Sequence, residues 1–336
     1  MPLNEQPAEG TRPGGRIDPA SPEAPSRVIS RAGCEFLLEL SAHGTRAFGS
    51  LPRAIFFTAI VAANVQHITQ SAVRTWRYAG LDQVPPDSER RPVSILGLSQ
   101  SLGKPFETTR ENVNALIGEG LVVRADGGVI VPSDVFLLEK VMALEDRIWT
   151  TFGEMVARLK GLGFDFRTVL GAAAASSAIK FEDDALLPTP VQSPRRLVSR
   201  IISQFYLTSA VEANAPHGDD WVKGQVSIGF ILLNSAAWRL RPEQAWLYST
   251  SESPMPEGLQ VPASIAEVAR LTGLGEKLVR RKAYELVDAG RLSRSGSGFL
   301  VDAAYMNGTE TRAGAAAIVS AFYRMIYDLT ALGVRL

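Results

Sequence analysis

Residues Ser94 to Val131 read SILGLSQSLGKPFETTRENVNALIGEGLVVRADGGVIV, and Ser264 to Val301 read SIAEVARLTGLGEKLVRRKAYELVDAGRLSRSGSGFLV. The two stretches align without a gap at an offset of 170 residues, with nine identical pairs. These include Gly103/Gly273, Arg110/Arg280, Leu116/Leu286, Gly120/Gly290, Arg124/Arg294 and Gly128/Gly298. A repeat of this kind takes precedence over other fold reasoning.

The offset extends outward on both sides. Upstream it pairs Val28/Val198, Leu37/Leu207, Asn64/Asn234, Trp76/Trp246 and Tyr78/Tyr248; downstream it pairs Phe152/Phe322, Met155/Met325, Leu159/Leu329 and Leu162/Leu332. In all, 23 identities fall in the 141 positions from Ser26 to Phe166, where ordinary composition gives about nine. The chain is a tandem duplication. Its expected organisation is a Pro-rich disordered tail at 1–25, a first repeat at 26–166, a linker at 167–195 and a second repeat at 196–336.

Composition narrows the class. The 336 residues carry no net charge and are 46% hydrophobic, enough for two cores. Any attraction to nucleic acid is therefore local. Cys34 is the one cysteine, which excludes an internal disulfide and agrees with a cytoplasmic chain. The apolar runs Ala54–Val65 and Ile228–Trp238 are too short to span a bilayer, which takes about 20 residues. They read as buried helices, with no membrane partner.

Each repeat is expected to open with an apolar helix, Ser30–Ala42 and Arg195–Ala213, with apolar residues at steps of three and four. A second, nearly all-apolar helix follows, Pro52–Trp76 and Lys223–Trp246, then a polar Pro-containing connector. A last long helix, Val135–Leu162 and Gly314–Leu332, carries the paired Phe, Met, Leu and Leu on one face.

Within the repeated stretch, Ile95, Leu98 and Leu102 mark a first helix, and Gly103-Lys104-Pro105 breaks it. Thr108 and Glu111 fit a capping box opening a second helix; Val113, Leu116 and Ile117 are its buried residues and Gly120 ends it. The β-branched runs around Asp126-Gly127-Gly128 form a hairpin. Helix, tight turn, helix and hairpin resemble a winged helix-turn-helix, with modules at 92–132 and 262–302. With two helices before the module and one after it, each repeat is similar to the MarR-type transcription regulators. The short wing lacks their Asp-x-Arg, and two copies are fused in one chain. The expected fold is mainly α with small β wings, two winged domains forming a pseudo-two-fold single-chain dimer.

This resemblance implies double-stranded DNA as partner, the second helix entering the major groove. The outward residues would be Thr108, Arg110, Glu111 and Asn114 in the first module. Leu278, Arg280, Arg281 and Tyr284, flanked by Lys277 and Lys282, are their counterparts in the second. Arg suits guanine and Asn adenine, while Arg124 and Arg294 at the wing base suit phosphate or the minor groove. The first stretch has three basic and four acidic residues and the second seven and four, so the second should dominate the salt-dependent attraction. Unlike helices imply an asymmetric operator with half-sites about one helical turn apart. A second reading, from another class, is a winged scaffold for protein contacts without DNA.

Trp76, Tyr78, Trp246 and Tyr248 read either as core aromatics or as walls of an effector pocket between the helices and the winged module. A ligand-sensing repressor would use such a pocket. Asn64 and Asn234 would line it or bond across the interface between repeats, since a buried amide needs partners. His43, His67 and His217 make no metal pair and no catalytic set. Ser295–Gly298 lacks the Gly-Lys-Ser/Thr ending of a phosphate loop. No cofactor and no enzymatic activity are expected.

Overall fold

The computed structural model describes residues 25–166, 177–181, 191–218, 220–239, 241–250 and 257–336. The expected tail, but for Pro25, and most of the expected linker lie outside them. The fold is mainly α. The first repeat runs α1 (Ser26–Phe48), α2 (Leu51–Asn64), α3 (Gln66–Thr69), α4 (Ala72–Arg77), α5 (Ile95–Leu102) and α6 (Phe106–Gly118). The hairpin β1 (Val123–Ala125) and β2 (Gly128–Ile130) and the helix α7 (Glu139–Gly161) complete it. The second runs α8 (Arg195–Glu212), α9 (Trp221–Asn234), α10 (Ala236–Arg239), α11 (Pro242–Leu247), α12 (Ile265–Thr272) and α13 (Glu276–Asp288). It continues with β3 (Leu292–Ser295), β4 (Gly298–Val301), α14 (Ala303–Asn307) and α15 (Thr309–Ala331). No single helix among the described residues is long and apolar enough to cross a membrane.

The first helix of each repeat departs from the 170-residue offset. Phe36 stacks on Phe205 at 5.6 Å, and these two touch Phe152 (6.3 Å) and Phe322 (6.4 Å) respectively. The Arg27 amide donates to Ser249 O, and the Arg196 amide to Ala79 O. Arg27, Ser30, Arg31 and Phe36 thus correspond to Arg196, Ser199, Arg200 and Phe205, an offset of 169. The pairings Val28/Val198 and Leu37/Leu207 are corrected accordingly. The second repeat has one more residue between its first two helices, and ungapped alignment cannot see it.

The expected helices Pro52–Trp76 and Lys223–Trp246 are each three pieces. The breaks follow Asn64 and Asn234, whose carbonyls accept from the Arg91 and Val261 amides rather than from their own helix (3.0 and 3.1 Å). Ser71 then caps α4 by accepting from the Arg74 amide, and Pro242 opens α11, where its missing N–H costs nothing.

The asparagines explain the breaks. Asn64 Nδ2 donates to Arg91 O and Val129 O, and the Val131 amide donates to Asn64 Oδ1. Asn234 does the same with Val261 O, Phe299 O and the Val301 amide. Each buried amide therefore pins the hairpin of its own repeat to α2 or α9, and neither bonds across the repeats. Backbone pairing of Val93 with Val129, and of Ala263 with Phe299, adds a short third rung to each hairpin. A Cβ on Gly128 would lie 2.2 Å from Val93 O, and one on Gly298 2.8 Å from Ala263 O, so only glycine admits this rung.

The repeats grip each other reciprocally. Trp76 Nε1 donates to Leu332 O at the end of α15 (2.9 Å), and Trp246 Nε1 to Leu162 O at the end of α7. One apolar core runs through α1, α2, α7, α8 and α15 and includes the first helix-helix-hairpin unit. The second unit has a core of its own, Val268, Val279, Ala283, Leu286 and Phe299 closing on Phe230 of α9. In the expected linker, Ser177 donates to Asp328, and Lys180 pairs with the backbone at Gln70 and Ala72.

Candidate nucleic-acid interface

Both units build the same turn. Ser94 caps α5 by accepting from the Gly97 amide, and Ser264 caps α12 in a full capping box with Glu267. Gly103 and Gly273 close these helices in the left-handed conformation (φ 61° and 70°). The box expected at Thr108 and Glu111 does not form. Pro105 is the N-cap, so α6 starts at Phe106 and both residues lie inside it. Thr109, not Thr108, turns inward and donates to Pro105 O.

On α6, Thr108, Arg110 and Glu111 are exposed and Asn114 is half-buried. Arg110 folds back on Glu107, one turn earlier, through two bonds to a single oxygen (2.7 and 2.9 Å). Hydrogen bonding and charge from Glu107 hold its guanidinium above the usual value. Arg124 on β1 donates to Asn114 Oδ1 at 3.0 Å. Two candidate reading residues are thereby tied to each other. Lys104, the remaining base of the first unit, lies over the Trp221 ring of the second repeat (4.1 Å).

On α13 the counterpart of Glu107 is Lys277, and the self-neutralising pair is gone. Lys277, Arg280 and Arg294 are exposed and make no ion pair with the described residues. Arg281 reaches only Glu285, at 3.9 Å. Two assignments are corrected. Lys282 is buried, its ammonium held by Asp220 and Glu285 at 2.8 Å each. Burial opposes its charge, but the two carboxylates outweigh it and raise the pKa. It lies one turn after buried Val279, on the flank facing α9, and Asp220 is the N-cap of α9. Leu278 is half-buried against the same core rather than outward. Tyr284 is exposed at its tip with its ring edge on Phe299.

None of Asn64, Trp76, Tyr78, Asn234, Trp246 and Tyr248 lines the 320 Å³ cavity between α1, α9 and α15. The tryptophans join the repeats, and Tyr78 donates to Glu89 (2.6 Å). No group of three metal-ligating side chains occurs among the described residues. Glu107 was missed by sequence reasoning, although its exchange for Lys277 at the repeat offset was the available signal. No family model, curated protein or solved structure matches the chain.

Proposed function

We propose that the chain is a sequence-specific DNA-binding regulator in which each helix-helix-hairpin unit is a winged helix-turn-helix. The two repeats, similar to fused MarR-type halves, act as an intramolecular pseudo-dimer on an asymmetric operator. The observation that carries this reading is the exposed basic face of the second unit. Lys277 and Arg280 stand on the first turns of its second helix and Arg294 on the adjoining strand, without ion pairs among the described residues. Cations presented in this way are suited to phosphates and base edges. Salt-titrated binding to genomic fragments tests it. Retention should fall steeply with salt, and Arg110→Ala/Arg280→Ala should weaken it. No retention at low salt, or retention unchanged in that variant, removes the reading.

A scaffold reading is favoured for the first unit by one feature. Its bases are engaged, while Leu96, Phe106 and Val123 are exposed. Recovery of a stoichiometric protein partner that Phe106→Ser abolishes would assign that unit to protein contacts.

A further inference from the structure

The second repeat carries a polar relay whose places are apolar in the first. Arg291 donates to His217 Nδ1 at 2.8 Å, His217 Nε2 lies 3.2 Å from the Tyr305 hydroxyl, and that hydroxyl lies 3.2 Å from Ser227 Oγ. The Arg291 guanidinium also lies over the Tyr305 ring, 5.0 Å from its centre. At the 170-residue offset, Arg291, Ser227 and Tyr305 stand where the first repeat has Leu121, Phe57 and Val135, all buried. Phe57 packs there on Phe48, with ring centroids 4.3 Å apart.

The direction of the relay is set at one end. A guanidinium has donors only, so His217 Nδ1 accepts and the ring proton is on Nε2, donating to the Tyr305 oxygen. Burial, then Arg291 and Lys223, hold this imidazole neutral, its pKa lowered from 6.5 to about 4. The bond between Tyr305 and Ser227 uses one of their two hydroxyl hydrogens, and the other meets no acceptor among the described residues. A hydrogen left over beside buried Ser227 is costly unless a group from outside pairs with it.

Ser227, Tyr305 and His217 all line the 320 Å³ cavity, which is at the small end of ligand-sized pockets. Ile228, Leu232 and Ile318 give it apolar wall, while Asn307, Glu310 and Arg312 line it as exposed residues. Glu310 is held by Arg291 at 3.4 Å, and Arg27 and Arg31, which also line the cavity, each have a partner of their own. The corresponding place in the first repeat, bounded by Thr58, Leu144, Ile148 and Ser203, holds only about 40 Å³. Leu144 stands there where α15 has Gly314. Relay and cavity occur together, in one repeat only.

We propose that this cavity binds a small uncharged molecule with a carbonyl oxygen on an apolar body, the oxygen accepting the hydrogen left over by the Ser227 and Tyr305 hydroxyls. One neutral donor among apolar side chains suits a carbonyl, whereas a carboxylate needs several donors to replace its water. The site needs no nucleic acid and stands or falls apart from the DNA reading.

Calorimetric titration of the full chain with 2-acetylnaphthalene tests the proposal, beside 2-isopropenylnaphthalene, which has the same shape with a methylene in place of the oxygen, and 2-naphthoate. One ketone should bind per chain, about tenfold tighter than the hydrocarbon, and more tightly than the acid. Ser227→Ala/Tyr305→Phe removes both hydroxyls at nearly constant volume and should make ketone and hydrocarbon equal. Gly314→Leu introduces the residue of the first repeat and should abolish binding of both. A Cβ on Gly314 meets nothing nearer than Glu212 O at 4.0 Å, so the fold has room for it. Absence of saturable ketone binding, equal affinity for the hydrocarbon in the unaltered chain, tighter binding of the acid, or a preference that survives loss of both hydroxyls overturns it.

Discussion

The first and second helix-helix-hairpin units hang from the same three asparagine hydrogen bonds and end their first helices on the same left-handed glycine. Their surroundings are unlike. The first unit is continuous with the core of the helical layer, and its bases are spent on Glu107, Asn114 and the Trp221 ring. The second has a separate core and presents Lys277, Arg280 and Arg294 to solvent. Positions that hold backbone were retained, and the neighbours of the retained arginines diverged, Glu107 to Lys277 and Asn114 to Tyr284. A buried amide has few substitutes that leave no polar group unpaired, whereas an exposed charge is exchanged at little cost to stability.

The largest expected effect compares the hinge asparagines. Asn64→Ala and Asn234→Ala each strand buried backbone groups, at a cost of about 3 kcal/mol. Because the first unit shares the main core, Asn64→Ala should lower the stability of the whole chain. Asn234→Ala should open the second unit first, seen as early hydrogen exchange in β3 and β4 while α1 and α8 stay protected. Identical exchange maps for both variants would break the distinction.

Next in size is an acid sensitivity seated beside the second unit. Burial, then Arg291 and Lys223, depress the pKa of His217 from 6.5 to about 4, against a smaller raising effect of Asp220. The unfolded chain therefore takes up this proton first. The stability is present above pH 6.5 and is lost as pH falls toward 4, by about 1–2 kcal/mol at pH 5. Denaturant melts at pH 7.5 and 5 should show this loss, and His217→Gln should remove that part of it. An unchanged pH slope in the variant would place the sensitivity elsewhere.

The charge difference between the units is tested by salt dependence. Lys277→Ala/Arg280→Ala/Arg294→Ala should reduce the slope of log affinity against log salt by about 2.7, whereas Arg110→Ala/Arg124→Ala should reduce it by less than about one. A reduction of about 1.8 in the second variant would mean that the ion pair and the Asn114 bond open on binding. The smallest effect sharpens the cause. Glu107→Lys gives the first unit the residue of the second and frees Arg110, so the slope should steepen by about one to two; no change would show that α6 does not approach DNA.

Much of the fold was legible because it is written in short-range spacing. The 170-residue identities gave the repeat, and the three-and-four apolar steps and Gly-containing turns gave the units. Asn64 and Asn234 stood out as polar residues in apolar helices, but their partners lie 27 to 67 residues away, and no local pattern names them. The inserted residue before α9 escaped an ungapped comparison. Thr108 and Glu111 have capping letters, yet Pro105 starts the helix earlier. Lys282 reads as a surface base, and Asp220 at the start of another helix holds it inward together with Glu285.

By itself the sequence determined the duplication, the order of the main helices and hairpins, and the residues that turn and fill each unit, because those depend on neighbours within a few residues. Tertiary structure alone decided which side chains meet across the seam. The Trp76 and Trp246 clasps and the stacking of Phe36 on Phe205 arise from contacts between distant segments. Their chemistry depends on where two backbones come to rest, which periodicity does not encode.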